Sequence, residues 1–119
     1  MEIKEHLVSG IKIAEVISNE IIIENTETAL DILGNLYYQG FYKIIIHEKN
    51  ITPAFFDLKT KIAGDILQKF SQYRMPLFIV GCFSKYESKS LKDFIYESNK
   101  GTHVNFASNF SEAIKFSSK

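Results

Sequence analysis

The sequence predicts a single α/β domain over residues 1–119, built as layers around a mixed, mostly parallel sheet. Two apolar blocks, residues 42–47 and 77–80, are continuous enough to be central strands covered on both faces. Other segments place apolar residues at helical spacing, which indicates amphipathic helices packed on such a sheet. We therefore expect the order β-β-α-β-α-β-α-β-α, with right-handed crossovers between the parallel strands.

A β-hairpin is predicted to open the chain. Residues 3–8 and 11–17 have strand character, and they flank the dipeptide Ser9-Gly10, which favours a tight turn. The next apolar run, residues 21–23, is too short to classify, and we expect it to be extended.

The first two helical regions are indicated by their cap residues. Asn25 or Thr26 offers an N-cap oxygen to a run with helical spacing that ends at Gly40. Thr52-Pro53 is a strong helix start, because the hydroxyl can accept from free amides and Pro is tolerated at the first position. We expect this second region to divide into a short turn followed by a longer helix.

The last third of the chain predicts a helix, a strand and a final helix. Ser88 or Ser90 can cap the helix, and Gly101 closes it. Residues 103–107 alternate as a strand does, and residues 110–116 have helical spacing.

Composition limits the classes of function. The 119 residues include 14 Lys and Arg against 14 Asp and Glu, so no net charge attracts nucleic acid or an anionic membrane, and we expect neither as a partner. No apolar run approaches the roughly 20 residues of a membrane span, and the first residues lack a signal-peptide core. The single cysteine, Cys82, cannot form an internal disulfide. We therefore expect a cytoplasmic location.

An anion-binding loop is predicted beyond the central strands. Sheets of this type bind ligands past the carboxyl ends of their strands, here in the loops of residues 47–53 and 82–90. Hydroxyl and ammonium groups beside a helix start suit a phosphate or a carboxylate. The candidate binding residues are Ser84, Lys85, Ser88, Lys89 and Ser90. The alternative is that the serines only cap the helix and Glu87 offsets the lysines.

A catalytic alternative uses Cys82 and His47, which follow neighbouring strands. A nearby imidazolium would lower the pKa of the thiol, and Glu48 is the acid that could orient His47. A lone cysteine at a strand end is, however, more often a small buried apolar residue. The histidines His6, His47 and His103 are widely separated in sequence, so we expect no metal site, and no cofactor is indicated.

The aromatic residues form two groups. Most occur at core spacing and are expected to pack internally; these are Phe55, Phe56, Phe70, Tyr73, Phe78, Phe83, Phe94 and Phe110. Four others lie within six residues around Gly40, and not all of them can point inward. These four, Tyr37, Tyr38, Phe41 and Tyr42, predict a surface for a partner or a second copy of the chain. The alternative is a small hydrophobic cluster beneath the loop.

Residues 51–101 resemble a bacterial family, the domain of unknown function 4180. The likeness is strongest in the run FSKYESKSLKDFIYESN, and with the flanking segments it covers nearly the whole chain. The family name implies no biochemical activity.

The element order and the ending from Val104 to Ile114 resemble the STAS domain of anti-sigma-factor antagonists, a SpoIIAA-like topology. In that family a serine in an Asp-Ser-x-Gly stretch is phosphorylated to switch partner binding. The corresponding residues here run from Asp57 to Thr60, so the Asp matches in type and Thr60 is the possible phospho-acceptor. The resemblance implies a small cytoplasmic module that binds a protein partner or itself.

Two functions remain open from the sequence. The first is a regulatory or protein-interaction module with an anion-binding loop at residues 84–90. The second is a small-molecule-binding or hydrolytic α/β enzyme that uses both carboxyl-edge loops. A concave pocket joining those loops, with shifted titrations, would favour the enzyme, and a flat apolar surface would favour the binding module.

Overall fold

Within the residues that the computed structural model describes, 1–117, five strands form one sheet whose spatial order follows the chain. The strands are β1 (Glu2–Val8), β2 (Ile11–Ile17), β3 (Lys43–His47), β4 (Leu77–Val80) and β5 (Val104–Ala107). β1 is antiparallel to β2, and the pairs from β2 to β5 are parallel. The predicted α/β class and mixed, mostly parallel sheet are confirmed.

The same described range contains four α-helices. They are α1 (Thr26–Tyr38), α2 (Ile62–Gln72), α3 (Lys89–Lys100) and α4 (Phe110–Ser117). The region after Thr52 divides as expected, because Thr52 and Asp57 each accept a hydrogen bond that closes a short 3-10 turn. Lys61 then adopts a left-handed φ of 65°, and α2 begins at the next residue.

The predicted cap positions are resolved by hydrogen bonds. Asn25 caps α1, where its side chain accepts from the Thr28 amide at 2.9 Å and the Thr28 hydroxyl accepts from the Asn25 amide in return. Of the two candidate caps of α3, Ser88 is the one used, and it accepts from the Leu91 amide at 3.2 Å. The short run at residues 21–23 is extended, and Ile23 bridges to the segment after β3.

The register of the opening hairpin is fixed by its turn. Ser9 and Gly10 have φ angles of 51° and 82°, a combination that matches the twist of the flanking strands. This register places His6 opposite Ile13 and Lys4 opposite Glu15. The histidine therefore lies on the same face of the sheet as Glu15.

The two faces of the sheet are covered unequally. The first face packs against α1, α2 and α3 in the larger apolar cluster, which contains Ala14, Ile44, Ile46, Leu77, Ile79, Val104 and Phe106 from the strands. The second face packs against α4, and its buried members are Ile13, Ile45, Phe78, Val80, Ala107 and Ala113. Three helices therefore cover the first face, and α4 covers the second.

Candidate functional site

The loops after β3 and β4 meet at the carboxyl edge of the sheet. His47 and Val80 are register partners at the ends of these strands. The approach beyond them is so close that a Cβ atom on Gly81 would lie 2.5 Å from the Cβ of Glu48. The Cys82 amide donates to Oε1 of Glu48 at 3.3 Å. The two loops are therefore in contact, as the sequence predicts.

The carboxylate of Glu48 joins the two loops. Nζ of Lys85 lies 2.9 Å from its Oε2, and the Tyr86 hydroxyl donates to the same oxygen. Burial and the hydrogen bond to Glu48 raise the pKa of Tyr86, so its hydroxyl remains the donor. The Tyr86 ring also stacks on Phe56, with ring centroids 5.1 Å apart. These contacts fix the second loop against the first.

A pocket of about 250 Å³ joins the two loops. It is smaller than the roughly 300–1,000 Å³ that is typical of small-molecule sites. Its lining residues are Ile21, Glu48, Lys49, Ile51, Pro53, Phe56, Lys85 and Tyr86. The one carboxylate in this lining, that of Glu48, is already bound by Lys85 and Tyr86. It is therefore not available to bind or activate a substrate.

The residues of the predicted anion-binding loop are brought together, but several already have partners. Lys85 is paired with Glu48, and Nζ of Lys89 lies 2.9 Å from a carboxylate oxygen of Asp93. The hydroxyl of Ser88 caps α3. An anion at this loop would therefore compete with two carboxylates of the protein itself, and its binding there remains a prediction.

Three side chains on the second face of the sheet form a cluster that the sequence analysis did not identify. Nε2 of His6 lies 2.9 Å from Oε1 of Glu15, and Nε2 of His47 lies 2.8 Å from Oε2. Glu15 is 8% exposed, and the ring of Phe110 lies against His6 with centroids 4.6 Å apart. One carboxylate thus holds two imidazoles, one from each neighbouring strand.

The electrostatics of this cluster favour an ionised carboxylate. Burial raises the pKa of Glu15, but the hydrogen bonds and charges of His47 and His6 outweigh burial and leave it below the ordinary value. Because an ionised carboxylate can only accept, each imidazole donates to Glu15 through Nε2. Pairing of an imidazole with a carboxylate is the arrangement that general acid–base catalysis uses.

The acid that orients His47 is therefore Glu15 and not Glu48, the acid that the sequence suggests. The signal was available in the strand alternation, since Glu15 lies two residues after Ile13 and so shares its buried face. The hairpin register then places His6 opposite Ile13, diagonally beside Glu15 on the same face. What the sequence does not contain is the order of strands, which places β3 on the other side of β2.

No hydrogen bond joins the predicted nucleophile Cys82 to the predicted base His47 among the described residues. Cys82 is exposed, and its Sγ contacts the Ser84 hydroxyl at 3.5 Å. Nε2 of His47 is bound to Glu15. The described range also holds no group of His, Cys, Asp or Glu side chains placed to bind a metal ion.

The hydroxyl of the predicted phospho-acceptor Thr60 is used inside its own turn. It donates to the carbonyl oxygens of Ala54 and Asp57, at 2.7 and 2.8 Å, and accepts from the Ile62 amide at 3.3 Å. A phosphate on Thr60 would break these bonds and open the turn that precedes α2. Modification of Thr60 remains a prediction.

Three of the four aromatic residues around Gly40 are exposed, and their role as a partner surface remains a prediction. Tyr37, Tyr38 and Tyr42 are largely exposed, and Tyr38 is 91% exposed. Phe41 is buried at 6% exposure beneath the ammonium of Lys12, so it belongs to the core. Tyr73, expected in the core, is 53% exposed, because it ends α2 beside α1.

A groove of about 540 Å³ runs between α1 and α2 on this side of the molecule. We call it the α1–α2 groove, and define it by Leu30, Leu33, Gly34, Tyr37, Gln72, Tyr73 and Arg74. Gly34 leaves it open, since a Cβ atom there would contact nothing within 4 Å. This groove is larger than the carboxyl-edge pocket and is lined mostly by apolar and aromatic side chains.

Among residues 1–117, no helix is both long and apolar enough to cross a membrane. No curated protein and no solved structure matches the chain. The likeness to STAS domains therefore remains a prediction. A family model described as Domain of unknown function (DUF4180) matches residues 8–116, which is nearly the whole chain. On that match the chain belongs to the DUF4180 family.

Proposed function

We propose that this protein is a small interaction module whose α1–α2 groove binds an apolar segment of a partner protein. The observation that supports this function best is the exposure of Tyr37 and Tyr73 on the two sides of a concave apolar surface. Tyrosine and arginine are enriched at the energetic centres of protein interfaces. A groove between two helices is also a common receptor for an amphipathic helix.

The charge in the groove indicates the chemistry of the partner. Arg74 is the charged residue among those that define the groove, and its guanidinium makes no hydrogen bond or ion pair with the described residues. A guanidinium binds a carboxylate with two parallel hydrogen bonds. The partner segment should therefore carry apolar side chains for the groove and an Asp or Glu opposite Arg74.

A second copy of the chain fits this groove less well than a different protein does. In a two-fold dimer the same patch contacts itself. Pairing two α1–α2 grooves would bring two Arg74 side chains into one interface while the groove supplies no acid for either. Like charges in one interface cost binding free energy. We therefore favour a heterologous partner.

The two remaining roles stay predictions. Anion binding at Ser84–Ser90 would have to displace Glu48 or Asp93 from a lysine. A hydrolytic role is favoured by the pairing of His6 and His47 with Glu15, but it requires His47 to activate Cys82. That requirement can be checked from the rate at which iodoacetamide alkylates Cys82 at pH 7. We expect the same rate, within about twofold, in His47→Gln, and a tenfold decrease would favour the enzyme.

Site-specific crosslinking tests the proposed function. A photoreactive phenylalanine analogue at Gln72, in the groove, should give one discrete protein adduct in the cells that make this protein natively. The same analogue at Tyr96 of α3 is the matched control, because Tyr96 and Tyr37 are about equally exposed, at 65% and 64%. The control should give no such adduct.

Two variants distinguish specific docking in the groove from nonspecific binding. Gly34→Leu introduces a side chain into the groove at a helical position where a Cβ atom meets nothing within 4 Å, and it should abolish the adduct. Arg74→Glu should reduce it at least tenfold, and mass spectrometry should find an acidic residue in the crosslinked segment. An adduct that survives Gly34→Leu, an equal adduct at Tyr96, or crosslinking of the chain only to itself would overturn the proposal.

A further inference from the structure

Another concave region lies at the amino edge of the sheet, where the parallel strands begin, opposite the carboxyl edge. It encloses about 480 Å³, within the range of roughly 300–1,000 Å³ that is typical of small-molecule sites. Lys43 begins β3 on one side of it, and Thr102 and His103 precede β5 on the other. We call this region the amino-edge cavity.

Cationic and protonatable side chains reach the amino-edge cavity from separate elements. Lys43 comes from β3, Arg74 from the turn after α2, and His103 from the turn before β5. Lys100 also lines it, and its ammonium is paired with Glu97 at 3.2 Å. None of the described lining residues is acidic, in a chain with as many Asp and Glu as Lys and Arg, 14 of each. This local excess of one sign favours a negatively charged ligand.

The backbone of Arg74 is held in a conformation that a side chain rarely adopts. Its φ is 55°, at the position after a helix end where glycine is the usual residue. The amide of Arg74 donates to the Ser71 carbonyl, and that of Met75 to the Phe70 carbonyl, which completes this helix end. The one arginine of the chain therefore occupies a position whose backbone conformation is unfavourable for a residue with a side chain. Strain of this kind is concentrated at functional sites.

Apolar side chains form one wall of the cavity. Pro76 and Phe78 line it, and Phe78 is 2% exposed, so its ring forms part of a fixed wall. Burial lowers the pKa of the Lys43 ammonium, and a bound oxyanion would oppose that shift. A charged rim over an apolar wall is the usual composition of a site for a small amphipathic ligand.

We propose that the amino-edge cavity binds a small organic anion, with an oxyanion group at Arg74, Lys43 and His103 and an apolar body against Phe78. Arg74 binds two oxygens of a phosphate or carboxylate through its planar guanidinium. Lys43 and His103 supply further donors from the other sides. This site is separate from the carboxyl-edge loop of Ser84–Ser90 and does not require a bound partner protein.

Titrations followed through backbone amide resonances test this site. The probes are phenyl phosphate, benzoate, inorganic phosphate and neutral phenol. We expect saturable shifts at Arg74, Thr102 and His103 with phenyl phosphate, benzoate or both, and none with phenol. A response to one aromatic anion alone identifies whether phosphate or carboxylate is recognised. Inorganic phosphate should bind at least tenfold more weakly, because it lacks the apolar body.

Variants make the test decisive. Arg74→Gly should weaken binding at least tenfold without lowering the melting temperature, because glycine is favoured at this backbone position. Lys43→Met, which lies outside the α1–α2 groove, should weaken it similarly and leave the crosslink from Gln72 intact. Lys92→Gln, on an exposed part of α3, is the charge-matched control and should change nothing. No saturable shift at 10 mM, shifts confined to Ser84–Ser90, or full binding by Arg74→Gly would overturn the proposal.

Discussion

Glu15 is a charged residue that lies beside the apolar cluster of the second sheet face. Its neighbours along that face of the sheet are Ile13 and Ile45, and both are buried. A buried carboxylate is costly unless it is hydrogen-bonded, and here each oxygen accepts from one imidazole. At the scale of single residues, His6 and His47 therefore allow Glu15 to be charged inside the fold.

The first prediction concerns the contribution of this carboxylate to stability. Glu15→Gln should lower the free energy of unfolding at pH 7 by about 1.5–3 kcal/mol, the usual range for hydrogen bonds to a charged group. The pKa of Glu15 is below its ordinary value of 4.5, so its stabilisation is present above that pH. It is lost as the pH falls through the lowered pKa. Urea titrations between pH 7 and pH 3 measure the difference between the two proteins.

Glu20→Gln is the control, because Glu20 is exposed and its side chain makes no ion pair with the described residues. Its unfolding free energy should stay within about 0.5 kcal/mol of wild type at every pH. If Glu15→Gln were as stable as wild type at pH 7, the two imidazoles would not be stabilising a charge at this position.

Two glycines show how the surrounding element decides the effect of a methyl group. Gly81 follows β4 and faces Glu48 at a distance that leaves no room for a side chain. Gly64 lies within α2, where a Cβ atom would contact nothing within 4 Å. Substitution by alanine should therefore change the stability in opposite directions at the two positions.

Gly81→Ala should destabilise the protein by about 1–3 kcal/mol, because the new methyl group must displace Glu48 and the loop contacts that Glu48 makes. Gly64→Ala should stabilise it by about 0.5–1 kcal/mol through the loss of glycine's backbone entropy in a helix. Thermal and urea unfolding of both variants measure these changes. A gain in stability at Gly81 would contradict the close contact between the two loops.

Helices and strands could largely be predicted from the chain because caps and apolar spacing are local signals. Asn25 and Ser88 were among the candidate caps, and the break before α2 follows from polar side chains that close short turns. The groups of residues that meet across the sheet depend on strand order, which local signals do not contain. For that reason the sequence does not predict the cluster around Glu15. It also does not predict the amino-edge cavity, whose lining residues are spread along the chain from Lys43 to Phe116.

The helices that cover the two faces of the sheet determine where concave binding surfaces can form. Three helices cover the first face, and the groove between α1 and α2 is the concave surface they leave beside the exposed tyrosines. The second face has α4 as its cover, and the amino-edge cavity opens beneath its end at Phe116. Arg74 lines both the α1–α2 groove and the amino-edge cavity. The chain's one guanidinium therefore lies where the two faces of the sheet meet.

The last prediction is that the purified protein is a monomer. Self-association through the α1–α2 groove would place two Arg74 side chains in one interface without an acid from the groove. Light scattering after size-exclusion chromatography should therefore give a mass near 13.7 kDa at micromolar concentrations. Tyr38→Glu should give the same mass, since Tyr38 is 91% exposed and would have no partner to lose in the isolated protein. A doubled mass that returns to that of one chain in Tyr38→Glu would instead assign the tyrosine surface to a homodimer.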